Sequence, residues 1–499
     1  MRIPKLILLP LALFAAASLH AQPDARRAAE GIREPSLRAR VEWLAGDAMR
    51  GRATPSPELQ AAADSIAGIF RRAGLRPAGD SGSYLQRFTF AAVDVPAAER
   101  RFTMDAGGRQ TAWTYGADYF SFAAQTAAEG EAVYVGPALP QPSELGEGAR
   151  GRIAVFHLGG SPVDGVGAMT GAVVSAMRAG SSGVLLVLDP AIDADSVEWF
   201  AHQMEGANPT APLPVFGIRT EVAQSVFRAG GQDDAALRAR SATLPLPLPG
   251  VRISMAAPAR PVQVSAPNVV AVLPGSDPVL RDQYVVLTAH FDHVGVAHGA
   301  DGDSIYNGAD DNASGTAALL AAAEAFGRLR RAPARSVVFL AVSAEERNLQ
   351  GSQYWVAHPS VPRERIVANI NLDMVGRNAP DTLTVLGQEY SSLGELVARV
   401  NAAHPELRFH LQSQVDPALR WFGRSDQASF VAAGVPALFF STMQHPDYHR
   451  VTDSPANLNT EKLARVARLL FYTAHAAASD PARPAWLPGG QARARAAIQ

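Results

Sequence analysis

In the second half of the chain, short runs of consecutive apolar residues alternate with segments whose apolar residues recur every three to four positions. Runs that are apolar at nearly every position predict strands buried on both faces, as in a parallel sheet covered by helices. The predicted strands are Val269–Leu273, Tyr284–Ala289, Val337–Val342, Ile366–Leu372, Thr384–Leu386 and Ala437–Phe440. The predicted helices are Thr316–Arg328, Ser352–Ala357, Leu393–His404 and Ala428–Ala433. This alternation predicts an α/β domain over residues 262–479, with a mixed, largely parallel sheet flanked by helices.

The first half of the chain combines shorter predicted strands with fewer helices. Residues 22–126 contain a predicted helix at Ala61–Ala73 and a predicted strand at Tyr84–Phe90. Residues 127–246 are β-rich. Their predicted strands are Glu131–Val135, Ile153–Phe156, Gly183–Leu188 and Val215–Ile218, and their predicted helices are Val173–Arg178 and Val222–Arg228.

Two segments have the composition of connectors. Proline stands at every second position between Leu244 and Gly250, which predicts an extended boundary between the β-rich region and the α/β domain. Residues 480–499 are rich in alanine, arginine and proline and have little apolar periodicity, so we expect a flexible tail there.

The amino-terminal segment has the order of a secretory signal peptide. Arg2 and Lys5 precede the mainly apolar run Leu6–Ala17, which small and polar residues follow. A membrane-spanning helix needs about 20 apolar residues, and this run is shorter. We therefore expect cleavage of residues 1–21 and export to the periplasm or the medium, with no membrane attachment afterwards.

Composition and charge exclude several classes of protein. With 47% hydrophobic and 18% charged residues, the chain fits neither a disordered nor a multispan membrane protein. The formal net charge of −2, without long runs of one sign, gives no basis for nucleic-acid binding. Cysteine is absent, which excludes a lipoprotein anchor, disulfides and thiolate ligands. Any metal must therefore be held by His, Asp and Glu.

Side chains with metal-ligand chemistry follow the predicted strands of the α/β domain. His290 comes directly after the strand Tyr284–Ala289, and Asp292 stands two residues later. A neutral imidazole is a good zinc ligand, and a carboxylate can accept its other ring N–H and fix the tautomer. A histidine at a strand end also serves as an ordinary hydrogen-bond donor, so both interpretations stay open for this pair alone.

A turn of small residues, Asn307–Gly315, delivers Asp311 just before a predicted helix. A carboxylate there can bridge two cations, although the same residue types also cap helices. Two adjacent acids, Glu345 and Glu346, follow the strand Val337–Val342. Neighbouring residues leave a strand end in different directions, so one acid can bind a metal while the other faces a metal-bound water, as metal-assisted hydrolysis requires.

Two further buried strands are followed by candidate ligands, and the joint set is His290, Asp311, Glu346, Asp373 and His449. Since ligand sites gather at the carboxyl ends of strands in such sheets, we expect these side chains to converge. Two histidines and three carboxylates, one of them bridging, suit two Zn²⁺ ions with open coordination positions.

The order of these motifs resembles the co-catalytic zinc aminopeptidases of peptidase family M28, over most of the chain that follows the signal peptide. The resemblance is carried by Gly308–Gly315 (Gly-Ala-Asp-Asp-Asn-Ala-Ser-Gly), Glu345-Glu346, Leu372-Asp373-Met374 and Tyr448-His449.

This resemblance implies two zinc ions bridged by Asp311. His290 and Asp373 would complete one zinc site, and Glu346 and His449 the other. It further implies that Glu345 is the general base and Asp292 the partner of His290.

The activity that the resemblance implies is that of an exported metallo-exopeptidase. A hydroxide that bridges the two metals would attack the peptide bond next to a free amino terminus, so the expected partners are peptide substrates. Three alternatives stay open: a carboxypeptidase that prefers acidic C-terminal residues, a glutaminyl-peptide cyclase with one zinc, and a non-catalytic binding protein with the same fold. Retention of every ligand and of the Glu345-Glu346 pair favours hydrolysis.

Two further interpretations rest on the same resemblance. Residues 127–246 look like a protease-associated (PA) domain, on the strength of Gly151–Val155, Arg178–Gly180 and Leu213–Val215. Gln427 follows Ser425-Asp426 where many M28 members have histidine, so we expect altered substrate contacts without loss of metal. Among the other histidines, we interpret His293 and His445 as substrate contacts.

Overall fold

The computed structural model describes seven stretches of the chain, residues 23–124, 126–158, 162–189, 210–240, 245–296, 303–413 and 420–499. The predicted signal peptide lies outside the described residues. The chain divides into two compact units. The first comprises the described parts of Met1–Thr89, Ser265–Gly295 and Ile305–Gln499, and the second those of Phe90–Val264 and Val296–Ser304.

Strands and helices of the described residues are numbered in chain order. The strands are β1 (Arg76–Pro77), β2 (Leu85–Asp94), β3 (Arg101–Ala106), β4 (Arg109–Ala112), β5 (Tyr119–Ser121), β6 (Ala123–Ala124), β7 (Ala128–Pro137), β8 (Ile153–His157), β9 (Gly183–Val187), β10 (Thr210–Ala211), β11 (Val215–Ile218), β12 (Leu246–Ala256), β13 (Arg260–Leu273), β14 (Tyr284–His290), β15 (Gly295–Val296), β16 (Ile305–Tyr306), β17 (Ser336–Val342), β18 (Ile366–Leu372), β19 (Thr382–Leu386), β20 (His410–Gln412) and β21 (Ala437–Ser441). The helices are α1 (residues 23–30), α2 (Glu34–Leu44), α3 (Pro57–Arg72), α4 (Pro162–Ala179), α5 (Thr220–Ala229), α6 (Asp234–Arg238), α7 (Gly315–Gly327), α8 (Gln350–Ala357), α9 (Leu393–Ala403), α10 (Gln427–Ala432), α11 (Thr460–Ser479) and α12 (Gly490–Ala497).

Within the described residues, nine strands form one mixed sheet in the order β1-β13-β17-β14-β18-β21-β19-β20, and β2 also pairs with β13. The central strands β17, β14, β18 and β21 run parallel to one another. Every position of β17 and β18 is buried, as their unbroken apolar runs predict. The prediction of an α/β fold with a mixed sheet and flanking helices is confirmed.

Helices α7 and α11 pack against each other and against β14. Helix α7 is apolar almost throughout and buried along nearly its whole length, which is expected of a helix enclosed in the core. Helix α11 was not predicted from the sequence, although most of its residues are buried. No helix in the described part of the chain combines the length and the apolarity needed to cross a membrane.

In the second unit, eight of the described strands form a mixed sheet in the order β4-β3-β12-β7-β8-β9-β11-β5. Each face of this sheet carries its own apolar core. Along β7, Tyr134 belongs to one core, while Val133 and Val135 belong to the other. This alternation follows from the two-residue period of a strand.

The second unit is wider than the β-rich region predicted at residues 127–246. Strand β3 pairs with β12 and β5 pairs with β11, so strands that precede residue 127 belong to the same sheet. The predicted connector is also wrong from Leu246 onward, because this segment begins β12. Pro247 lies opposite Val133, and the register shifts between Pro247 and Arg252. An interrupted ladder tolerates prolines, which have no N–H to donate.

The expectation of a flexible tail at residues 480–499 is wrong. Helix α12 lies in this segment, and its Ala494 is buried in an apolar cluster with Phe422. The indole N–H of Trp486 donates to the carbonyl oxygen of Gly434 at 3.1 Å. These packing residues are too far apart in sequence to produce a periodic apolar pattern.

Candidate metal centre

The candidate ligands converge at the carboxyl edge of the parallel strands. His290 is the last residue of β14, and Asp373 directly follows β18. Glu345 and Glu346 stand in the loop after β17, and His449 stands in the loop after β21. Since these strands are parallel neighbours, their loops meet at one edge of the sheet, as the sequence predicts.

Asp311 is delivered by an irregular turn, Ala309–Ser314, that precedes α7. Gly308 begins this turn with φ of +60°, and a Cβ atom at this position would come within 2.4 Å of the His293 ring. Glycine is required here because the backbone is left-handed and because the imidazole lies against it.

The two carboxylate oxygens of Asp311 face two different histidines. Nε2 of His290 lies 3.2 Å from Oδ1 of Asp311 and 3.3 Å from Oδ1 of Asp373. Nε2 of His449 lies 2.9 Å from Oδ2 of Asp311 and 3.3 Å from Oε1 of Glu346. The side chains thus form two groups that share Asp311, in the grouping that the family resemblance implies.

His293 lies inside the second of these groups. Its Nδ1 is 2.8 Å from Oε1 of Glu346 and 4.0 Å from Oδ2 of Asp311. The sequence interpretation of His293 as a substrate contact therefore misses its relation to Glu346, which is a hydrogen bond from the ring to the carboxylate. The position of His293 directly after the His290-Phe291-Asp292 motif was the signal that could have revealed this role.

The tautomer of His290 follows from its hydrogen bond. Nδ1 lies 3.2 Å from the backbone carbonyl of Asp292 and 3.6 Å from the Asp292 carboxylate. A carbonyl oxygen only accepts, so Nδ1 carries a proton, and Nε2 is the ring nitrogen that a metal ion among the carboxylates would take. The partner of His290 is thus mainly the Asp292 backbone, whereas the sequence suggested the side chain.

The carboxylate of Asp292 instead organises the loop that carries Glu345. Its Oδ2 accepts the hydroxyl hydrogen of Thr54 at 2.9 Å, and its Oδ1 accepts the backbone N–H of Glu345 at 3.3 Å. Oγ1 of Thr54 in turn accepts the N–H of Ala344 at 3.3 Å. Sequence reasoning missed Thr54, because nothing in its local sequence indicates a contact with residues so distant along the chain.

A buried arginine, Arg52, braces the same region. Its guanidinium donates to the carbonyl oxygens of Leu44, Phe291, Asn307 and Gly308. Burial lowers the pKa of Arg52 to about 10, against the opposing effect of nearby carboxylates such as Asp292 and Asp311. The side chain therefore stays charged at neutral pH and partly balances the negative cluster.

The two adjacent glutamates have opposite pKa shifts. Burial raises the pKa of Glu345 well above its ordinary value, and the charges of Glu346 and Asp373 raise it further, while His290 opposes them. Burial also acts to raise the pKa of Glu346, but His449 and the hydrogen bond from His293 bring it down to about 2. Carboxyl groups whose environments push their pKa values apart take different roles. Glu346 therefore stays ionised, as a candidate metal ligand must, and Glu345 is suited to accept a proton.

Tyr448 adds a donor that sequence reasoning did not assign. Its ring stacks on His449 with a centroid distance of 3.9 Å. Burial raises the pKa of its hydroxyl well above the ordinary value, and the surrounding carboxylates, led by Asp311 and Glu346, raise it further. The hydroxyl therefore remains protonated and can donate a hydrogen bond within the site.

Gln427 and His445, which the sequence analysis linked to substrate contacts, are both buried. Gln427 is fully buried, its amide oxygen accepts from Asn371 at 2.8 Å, and its amide nitrogen donates to the carbonyl of Phe422 at 2.9 Å. His445 is also buried, with Nε2 3.3 Å from Oδ2 of Asp310. The burial of His445 argues against the substrate contact expected of it, and the expectation of altered substrate contacts from Gln427 stays a prediction.

The donor set fits zinc. In each group, one candidate ligand atom from every side chain lies within 4.8 Å of the others. All donors are imidazole nitrogens or carboxylate oxygens, which zinc accepts, and the carboxylates need cations to offset their repulsion.

Comparison with known proteins agrees with this geometry. The profile of the Peptidase family M28 matches residues 268–474, which include all the candidate ligands. Aminopeptidase YwaD of Bacillus subtilis (strain 168) is 28% identical over 209 residues, which is 40% of this chain and 42% of that protein. The chain thus spans less than half the length of this curated relative.

Two solved structures share the fold over nearly their whole length. An aminopeptidase from Aneurinibacillus sp. strain AM-1 superposes with a TM-score of 0.62 and 20% identity, covering 93% of this chain and 98% of that one. BSAP, a zinc aminopeptidase from Bacillus subtilis, gives a TM-score of 0.60 and 18% identity, covering 91% of this chain and 97% of that one. Residues 268–474 thus match peptidase family M28, and the chain has the fold of these aminopeptidases.

Proposed function

We propose that this protein is a two-zinc aminopeptidase that removes residues from the free amino terminus of peptides. The observation that carries the proposal is the position of Asp311, whose two oxygens face His290 and His449 in separate ligand groups. The match to peptidase family M28 supports the reaction class, and the aminopeptidase names of the relatives support the exopeptidase type.

Two zinc ions would be held by His290 and Asp373 on one side and by Glu346 and His449 on the other, with Asp311 between them. When bound, such ions polarise the substrate carbonyl and lower the pKa of water. Proton transfer and hydrogen bonding to the substrate carbonyl are assigned to side chains of this chain.

Glu345 is the proposed general base. Its raised pKa suits it to take a proton from the attacking water on a carboxylate oxygen and to give that proton to the leaving amine. Asp292 and Thr54 hold the Glu345 loop through its N–H groups. The hydroxyl of Tyr448 stays protonated and donates to the carbonyl oxygen as negative charge develops there.

The proposed metal centre also favours a free amino terminus over a blocked one. In its neutral form, a free amino terminus has a nitrogen lone pair that a zinc ion held by these residues would accept. That contact would align the first peptide bond with Glu345. An acetylated nitrogen has no available lone pair, so an acetylated peptide should be a poor substrate.

We extend the proposal to the rest of the chain from the sequence. Residues 1–21 would direct export, and residues 127–246 would be a PA domain. The candidate ligands all belong to the first unit, so substitutions confined to residues 127–246 should leave zinc binding unchanged.

The proposal is tested by measuring zinc content together with rates on three kinds of substrate. We expect two zinc ions per chain and hydrolysis of aminoacyl p-nitroanilides, with no turnover of their N-acetylated forms. Hydrolysis of peptides with acidic C-terminal residues irrespective of the amino terminus would instead indicate a carboxypeptidase. Cyclisation of N-terminal glutamine would indicate a glutaminyl-peptide cyclase, and zinc binding without any turnover would indicate a binding protein.

A further inference from the structure

Asp453 is a fully buried carboxylate, 0% exposed, in the loop that follows His449. Its two oxygens lie 3.0 and 3.1 Å from the backbone N–H of Asp310. Oδ2 also accepts the backbone N–H of Asp311 at 3.1 Å. One side chain outside the ligand set thus holds the backbone of the residue that both metal groups share.

The backbone of Asp453 extends this contact by one residue. Its carbonyl oxygen accepts the N–H of Ala309 at 3.0 Å, so three consecutive N–H groups of the turn donate to Asp453. These groups need an outside acceptor, because the first N–H groups of a helical segment have no partner within it. At Asp311 the backbone also departs from helical geometry, with φ of −101° and ψ of 95°.

The other side of the turn is fixed independently. Nδ2 of Asn312 donates to the carbonyl of Leu372 at 2.9 Å, and Oδ1 of Asp310 accepts the N–H of Gly376 at 2.6 Å. These contacts join the turn to the loop that carries Asp373. Asp453 makes the equivalent contact from the loop that carries His449. The turn that carries Asp311 is therefore bonded both to the Asp373 loop and to the His449 loop.

We propose that Asp453 is a positioning residue for the bridging carboxylate. It fixes the backbone from which the Asp311 side chain leaves, so that Oδ1 faces His290 and Oδ2 faces His449. Hydrogen bonds to an ionised acceptor are about twice as strong as neutral ones, which suits a residue that must hold a turn rigidly. The proposal rests on the proposed two-zinc function, and it assigns Asp453 no contact with substrate.

The test is the zinc affinity of both sites in two variants of the full chain, measured by competition with a chelator. Asp453→Leu keeps the branching at Cγ but removes both acceptor oxygens. Asp453→Asn keeps one oxygen and should rescue part of the loss. Because Asp311 is shared, Asp453→Leu should weaken both zinc sites together, by about 10 to 100-fold, and Asp453→Asn should weaken both by an intermediate factor.

Asp234→Asn is the matched control. Asp234 is a largely buried carboxylate of the second unit, bonded to His157 and Arg238, so its substitution removes the same charge in a unit that holds none of the candidate ligands. Zinc affinity should not change in this control. A purely structural role of Asp453 would lower the unfolding temperature of the zinc-free chain without changing zinc affinity.

Zinc affinities within twofold of the wild type at both sites, in either variant that folds, would overturn the inference. If Asp453→Leu does not fold, Asp453→Asn decides the question alone. A wild-type chain that binds two zinc ions but hydrolyses no peptide would refute the proposed function and leave the role of Asp453 standing. Unchanged affinities in an active peptidase would refute only the role of Asp453.

Discussion

The backbone N–H of Glu345 donates to Oδ1 of Asp292 at 3.3 Å, which ties the proposed base to the loop that follows β14. This contact uses the backbone N–H of Glu345 and does not involve its carboxyl group. Replacement of that carboxyl by an amide should therefore leave the loop in place.

Glu345→Gln should retain both zinc ions and lower kcat. Glutamine has nearly the same shape, but its amide cannot accept the proton that general-base catalysis removes, and such proton transfer contributes about 10² to 10⁴-fold. The check is kcat together with zinc content. A variant with full activity would show that Glu345 is not the base.

Glu346→Gln should have the opposite effect. It should weaken zinc binding, while the catalytic rate of the zinc-loaded variant changes less. Glu346 lies 3.3 Å from His449 and 2.8 Å from His293, so the substitution removes a ligand charge and the acceptor of a hydrogen bond. Because substitution of an outer partner already weakens metal binding by about 10 to 100-fold, loss of a ligand should weaken one zinc site at least that much. Chelator competition measures this effect, and excess zinc should restore much of the activity.

Tyr448→Phe should lower kcat by about 10² to 10³-fold with little change in KM. The variant loses one hydroxyl donor that stays protonated because burial and nearby carboxylates raise its pKa. Phenylalanine preserves the stacking on His449, so zinc content should be unchanged. Wild-type kcat in this variant would exclude the hydroxyl from the reaction.

His475 should make the fold sensitive to mild acid. Burial among residues that include Phe326 and Phe471 lowers its pKa from 6.5 to about 4. The unfolded chain protonates His475 more readily than the folded chain does. The free energy of unfolding is therefore unaffected by His475 above pH 6.5 and decreases as pH falls towards 4. At about 1.4 kcal/mol for each pH unit, the loss amounts to about 3 kcal/mol.

The measurement is urea unfolding of wild-type protein and of His475→Leu between pH 7 and pH 4, with EDTA present to remove the contribution of bound metal. The free energy of unfolding of the wild type should fall more steeply over this window. Parallel pH curves for the two proteins would show that His475 does not titrate as its burial requires.

The central strands and most of the metal centre could be predicted because both follow from local sequence. Strands β17 and β18 are buried at every position, and their apolar runs indicate this directly. His290, Asp373 and the Glu345-Glu346 pair stand next to such runs. A parallel sheet then brings these residues together without further information.

The remaining contacts depend on residues that are distant in sequence. Thr54 and Arg52 reach the centre through hydrogen bonds to residues more than 230 positions away. Helix α11 was missed because charged residues interrupt its apolar pattern. Two of these charged residues, Lys462 and Arg465, are buried. Lys462 donates to the carbonyls of Arg377 and Ala379. Arg465 donates to the carbonyl of Leu407. A buried charge with carbonyl partners cannot be distinguished from an exposed one by sequence periodicity.

The most direct test of the two-zinc aminopeptidase proposal is to titrate zinc into metal-free protein while the rate on a free and on an N-acetylated peptide is followed. Activity should reach its maximum at two zinc ions per chain and should occur only with the free amino terminus. Maximum activity at one zinc ion, or equal rates on the two peptides, would contradict the proposal.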